Sequence, residues 1–147
     1  MKFILSVVTT VAFGAALPAI AGDTTRPADA KVYFINLQDG DTVSAPVRVV
    51  FGLTGMGVAP AGTEKENTGH HHLLIDRPLL GQGEDGAEEA DYGLPADEQH
   101  IHYGGGQTET RLDLAPGTHT LQLVLGDLNH VPHIDPVTSD QITITVK

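Results

Sequence analysis

Histidine is the residue type in this sequence whose number and spacing could do the most chemistry. The chain of 147 residues holds eight histidines, and seven of them fall in three short groups, at residues 70–72, at 100 and 102, and at 130 and 133. Neutral imidazole is a natural ligand for Cu(II), Zn(II) and Ni(II), so grouped histidines predict a site for such an ion. The candidate metal ligands are His70, His72, His100, His102, His130 and His133.

The three histidine groups can share one ion only if the fold brings them to one end of the domain. The second group is a His-x-His pair, and side chains alternate along a strand, so its imidazoles lie on one face, about 7 Å apart in Cα. Three glycines at 104–106 then turn the chain, and the third group follows a strand that ends at Gly126. If the strand that begins with the first group pairs antiparallel with that strand, all three groups lie together. The alternation also places Glu98 on the face of the second group, where it could add a carboxylate.

Two histidines are predicted to be structural instead. If Leu73 and Ile75 face the core, the alternation turns His71 inward as a hydrogen-bonded core residue and turns its histidine neighbours outward. His119 follows a turn at 115–117 and begins a strand whose far end is about 23 Å away. We expect the ring of His119 to hydrogen-bond the backbone of that turn.

Short apolar-alternating runs separated by Gly, Pro, Asp and Asn supply the elements that must position these side chains. Seven such runs and no convincing helix predict an all-β fold, a single immunoglobulin-like antiparallel β-sandwich over residues 31–147. The predicted strands are 32–37, 47–53, 69–76, 99–103, 108–114, 118–125 and 141–147.

One segment does not fit the pattern of short strands and turns. Residues 79–98 are rich in Asp, Glu and Gly, and the stretch is long for a loop, so it is either functional or mobile. Such a run of acids is usually a solvated surface, and here it lacks the spacing of a calcium-binding loop. The role of the acidic loop at 84–98 is left open.

The N-terminal residues have the pattern of an export signal. Lys2 precedes an apolar stretch that is short for a membrane span, and a small-x-small cleavage site follows at 19–21. We therefore expect a signal peptide at residues 1–21, a flexible segment at 22–30, and a mature protein without a membrane span that is periplasmic or secreted. No cysteine follows the cleavage site, which excludes a lipoprotein anchor.

Composition narrows the partners and the kind of site. A formal net charge of −11 argues against nucleic acid as a partner, because both would be negatively charged. The absence of cysteine excludes disulfides, iron–sulfur clusters and thiolate metal sites, which leaves nitrogen and oxygen ligands.

Several long motifs resemble those of a bacterial family of small exported proteins classed as a domain of unknown function. The resemblance covers about residues 32–147 and implies a compact β domain outside the cytoplasm, without implying an activity. The motifs are FGLTGMGVAPAG at 51–62, GHHHLLID at 69–76, HIHYGGGQTE at 100–109, PGTHTLQLVLGD at 116–127 and HVPH at 130–133.

Three functional hypotheses follow from these observations. The first is a periplasmic metal-binding protein, with copper(II) as the first candidate and zinc as the second, which would serve metal storage, delivery or resistance. Its partners would be the metal ion and, as a further candidate, another periplasmic protein. The second is a non-catalytic immunoglobulin-like interaction module whose histidines are structural. The third is a metal-dependent enzyme on the same site, in which Glu98 or Asp127 acts as general base.

Overall fold

Two β-sheets pack face to face in a computed structural model that describes residues 24–84 and 86–147. The predicted all-β sandwich is confirmed, although the described residues form nine strands rather than about seven and include one short helix. The predicted signal peptide at 1–21 lies outside these residues. The elements are β1 Lys31–Phe34, β2 Thr42–Val43, β3 Val47–Thr54, β4 Gly57–Val58, β5 Thr68–Ile75, α1 Gly86–Asp91, β6 His100–His102, β7 Glu109–Leu112, β8 Gly117–Gly126 and β9 Ile142–Val146.

The smaller sheet has the strand order β1-β3-β7, and the larger sheet has the order β2-β9-β8-β5-β4, with β6 also paired to β5. All these pairs are antiparallel except the two-residue pairs β2/β9 and β4/β5, which are parallel. The expected antiparallel pairing of β5 with β8 is present, and it sets His70 opposite Gly126. The glycines at 104–106 connect β6 of the larger sheet to β7 of the smaller one, so they cross between the sheets.

The hydrophobic core lies between the sheets and follows the alternation of the sequence. Val47, Val49 and Phe51 of β3 face the core from the smaller sheet, with Arg48 pointing outward. Strands β8 and β9 contribute alternate Leu, Ile and Val side chains from the larger sheet. Each such side chain contributes about 1.5–3 kcal/mol when it is fully buried, so the core fixes the register of both sheets.

The outer face of the larger sheet is covered as well. Leu74 of β5 and Val124 of β8 pack there against Leu94 and Leu80 from the acidic segment. This segment contains α1, whose residue Glu89 is buried, so it is not simply a solvated loop. Because β5 is covered on both faces, all three histidines of its run are buried, including the two that we expected to face outward.

The described part of the predicted flexible lead-in, residues 24–30, is fastened to the loop that follows β8. The Thr24 hydroxyl donates a hydrogen bond of 2.7 Å to the Asp127 carboxylate, and the Ile134 N–H donates to the Thr24 carbonyl at 3.0 Å. Arg26 forms an ion pair with Asp135. Within the part of the chain that the structure covers, no helix is long and apolar enough to cross a membrane.

Candidate metal centre

Four histidines from three parts of the chain converge on the outer face of the larger sheet. His70 and His72 come from alternate positions of β5, and His102 of β6 is paired directly with His72. His130 is supplied by the loop after β8. One ring nitrogen from each of the four lies within 4.8 Å of the other three, a grouping that could hold a metal ion.

The spacing of the four rings is close to what one ion requires. Two nitrogens that bind one tetrahedral zinc at about 2.1 Å lie about 3.4 Å apart. His70 Nε2 and His130 Nδ1 are already 3.1 Å apart. Ring centroids are separated by 4.5 Å for His102 and His130 and by 5.0 Å for the stacked rings of His72 and His102. Small side-chain rotations would therefore bring four nitrogens onto one ion.

Several nitrogens of the cluster are buried without a hydrogen-bond partner. Both ring nitrogens of His72 and the Nε2 atom of His102 are in this state among the described residues. Leaving a buried polar atom unsatisfied costs about 1–3 kcal/mol, and native proteins rarely do so without a reason. A metal ion bound to the cluster would satisfy one ring nitrogen of each of these histidines.

Burial keeps three of the four imidazoles of the cluster neutral. Burial, with a smaller contribution from the neighbouring histidines, lowers the pKa of His72 to about 2 and the pKa of His70 to about 4. Burial also lowers the pKa of His102, and His130 adds to this effect. Neutral imidazole is the form that binds metals, so His70, His72 and His102 are in the ligating form at pH 7.

Two glycines let the rings lie against the main chain. A Cβ atom added to Gly126 would lie 2.6 Å from the Cε1 atom of His72, and one added to Gly104 would lie 2.4 Å from the Cε1 atom of His102. Any larger residue at either position would push a ligand ring out of place. The glycines of these two motifs therefore shape the cluster.

The loop that carries His130 is organised by Asp127. The Asp127 carboxylate accepts hydrogen bonds from the backbone N–H groups of Asn129 at 2.8 Å and Val131 at 3.1 Å. The His130 N–H donates to the Asp127 carbonyl at 3.1 Å, and His130 has a positive φ of 68°. Asp127, one of the two general-base candidates from the sequence, thus has a structural role in this loop. Glu98, the other candidate, is exposed.

Two of the six predicted ligands lie outside the four-histidine cluster. His100 is buried, with its Nε2 atom 2.9 Å from Glu89 and its Nδ1 atom 2.8 Å from Asp97. Arg77 pairs with the same Glu89 carboxylate, so the group fastens α1 to β6. His133 is also buried, and its Nδ1 atom is 3.4 Å from the Leu125 carbonyl.

Sequence reasoning missed the Glu89 network, although the sequence carried a weak signal for it. The run Gly-Ala-Glu-Glu-Ala-Asp at 86–91 contains good helix formers among surrounding glycines and prolines. A short helix there could place one acidic residue against the sheet. The other members of the network, His100 and Asp97, are close in sequence and need only that helix to complete the group.

The two histidines expected to be structural lie away from the cluster. The ring of His71 faces the core as predicted and packs against Phe51, with ring centroids 5.0 Å apart, and burial lowers its pKa to about 4. Both of its ring nitrogens are buried without a hydrogen-bond partner among the described residues, so the hydrogen bond expected for this ring is absent. His119 Nε2 donates to the carbonyl of Ala115 at 2.8 Å, so the expected bond to the turn is confirmed. Its Nδ1 atom lies 2.8 Å from Asp76.

Comparison with known proteins adds a family but no activity. A family model described as "Domain of unknown function (DUF4399)" matches residues 49–147, the region that contains all eight histidines. No curated protein and no solved structure matches the chain.

Proposed function

The chain belongs to the DUF4399 family, a domain of unknown function, and we propose that it is a metal-binding protein that acts outside the cytoplasm. The observation that carries this proposal is the convergence of His70, His72, His102 and His130 within 4.8 Å. The export pattern at residues 1–21 supports the location. A role in storing, delivering or detoxifying the metal would suit such a site.

Copper(II) is the first candidate metal and zinc the second. Divalent copper binds nitrogen ligands more tightly than the other first-row metals, and the site offers four imidazoles and no thiolate. Zinc would accept the same four nitrogens in a tetrahedral arrangement. His70 and His72 are buried, whereas His102 and His130 are only partly buried. The ion would therefore enter and leave on the side of His102 and His130.

The two rival hypotheses are less well supported. An interaction module with structural histidines would have its histidines on different surfaces, whereas four of them meet in one cluster. A metal-dependent enzyme needs a general base beside the metal, but Glu98 is exposed and the Asp127 carboxylate accepts hydrogen bonds from its own loop.

Metal titration of designed variants tests the proposal. Wild-type protein should bind one Cu(II) or Zn(II) per chain, and a His72→Ala/His102→Ala variant should lose at least about a hundredfold in affinity, because two of four ligands are gone. His119→Gln is the matched control, since it removes a histidine outside the cluster, and its affinity should equal that of wild type. Equal binding by the double variant and by wild type would refute the proposal.

A further inference from the structure

His130 is the one ligand of the four that is not held by a strand. It lies in the His130 loop, residues 127–133, and it adopts a left-handed backbone conformation that is uncommon for any residue with a side chain. A ligand on a loop contributes fully to affinity only if the loop is already in the binding conformation. What holds this loop therefore helps to set the affinity of the site.

The Asp127 carboxylate holds the loop from within. One oxygen, Oδ1, accepts hydrogen bonds from the backbone of Asn129 and Val131, as described above. The backbone N–H of Asp127 also donates to the Val131 carbonyl at 2.8 Å. Asp127 is 5% exposed, so its second oxygen also needs a partner from the protein.

That partner comes from the N-terminal strap, residues 24–30. The Thr24 hydroxyl donates to Asp127 Oδ2 at 2.7 Å, across 103 positions of sequence. Two further contacts, from Ile134 to the Thr24 carbonyl and from Arg26 to Asp135, fix the strap beside the loop. The strap thus completes the hydrogen bonding of the carboxylate that shapes the His130 loop.

We propose that Thr24 is a positioning residue for the metal centre, acting through Asp127 on His130, so that the N-terminal strap sets the metal affinity. This inference rests on the proposed metal-binding function. Without the Thr24 hydroxyl, the buried carboxylate would turn toward another donor and the loop would leave its left-handed turn more often. Loss of a partner that hydrogen-bonds a metal ligand directly typically weakens metal binding by about 10–100-fold, and Thr24 acts one contact further from the ligand, so we expect the lower end of that range.

The test compares Thr24→Val with Thr24→Ser and with Thr25→Val, which makes the same chemical change at an exposed neighbour. Thr24→Val should lower Cu(II) affinity about tenfold and alter the electron paramagnetic resonance spectrum of bound copper, because the nitrogen of His130 moves. Thr24→Ser, which keeps the hydroxyl, and Thr25→Val should match wild type. Unchanged affinity and spectrum in Thr24→Val would overturn the inference.

A double-mutant cycle separates positioning from a general loss of stability. In a His130→Ala background, which keeps three ligands, Thr24→Val should have no further effect on affinity, since the residue it positions is gone. The same tenfold loss in both backgrounds would contradict the inference. If wild type itself binds no metal, the proposed function fails; if wild type binds and Thr24→Val binds equally well, only the role of the strap fails.

Discussion

Acid should destabilise the metal-free protein steeply between pH 7 and pH 5, because three adjacent histidines are buried in their neutral form. Burial lowers the pKa of His70 and His71 from 6.5 to about 4 and that of His72 to about 2. Below pH 6.5 each of them takes up a proton in the unfolded chain but stays neutral in the folded one. The unfolded state then binds more protons, so the free energy of unfolding falls as the pH falls.

The size of this effect follows from the three pKa shifts. Each histidine changes the free energy of unfolding by about 1.4 kcal/mol per pH unit between its unfolded and folded pKa values. Three of them together give a slope of about 4 kcal/mol per pH unit, which amounts to about 6 kcal/mol from pH 7 to pH 5 once partial protonation near pH 6.5 is included. That is as large as the whole stability of many domains, about 5–15 kcal/mol.

Urea unfolding of the metal-free protein at pH 7, 6 and 5, in the presence of a chelator, measures the slope directly. His71→Leu removes one of the three groups without removing a residue of the metal cluster, so it should reduce the loss of unfolding free energy between pH 7 and pH 5 by about 2 kcal/mol. His119 works in the opposite direction, since the Ala115 carbonyl and Asp76 raise its pKa, and its contribution is lost as the pH rises. A change below about 1 kcal/mol between pH 7 and 5 would refute the view that these rings are buried and neutral.

Two substitutions separate the cluster from the network beside it. Gly126→Ala should displace the His72 ring and weaken metal binding about tenfold in a Cu(II) titration. Gly57→Ala is the control, because its added Cβ makes only an ordinary contact, and its affinity should equal that of wild type. Glu89→Gln should lower the free energy of unfolding by about 2–4 kcal/mol, since it breaks a buried ion pair. It should change metal affinity by less than about twofold, because His100, the histidine that Glu89 contacts, is not in the cluster. Equal losses of affinity in Gly126→Ala and Gly57→Ala, or a large loss in Glu89→Gln, would contradict this division.

Period-two alternation and one pairing rule were enough to predict much of the histidine cluster from sequence. The alternation separates His71, which faces the core, from His70 and His72, which share the outer face. The antiparallel pairing of β5 and β8 then brings the end of β8, and with it His130, to the start of β5. These are local regularities of strands, so they can be seen without any knowledge of the partner side chains.

The fate of the other candidates depends on contacts that the local pattern does not contain. His100 and His102 have the same alternation on β6, yet only His102 joins the cluster, because the register sets it opposite His72. His100 lies opposite Leu74, where Glu89 from α1 contacts its ring. The position of α1 follows from the packing of Leu94 and its neighbours on the sheet. This tertiary contact keeps the segment against the sheet, although its acidic composition predicts a solvated loop. The docking of Thr24 on Asp127 joins residues 103 positions apart and has no local signature.

The same burial that makes the cluster a poor site for protons suits it to a metal ion. A proton binds one lone pair and leaves a charge beside three other imidazoles in a desolvated site, which is why the pKa values of His70 and His72 are so low. A divalent ion is bound by several lone pairs at once, and that coordination offsets the loss of its hydration. Negative charge also favours a bound cation. The Asp127 carboxylate favours positive charge at His70, and the net charge of the chain is −11. The buried, unsatisfied nitrogens of His72 and His102 therefore lower the stability of the metal-free protein, and the burial that causes this keeps His70, His72 and His102 in the neutral form that a metal would require.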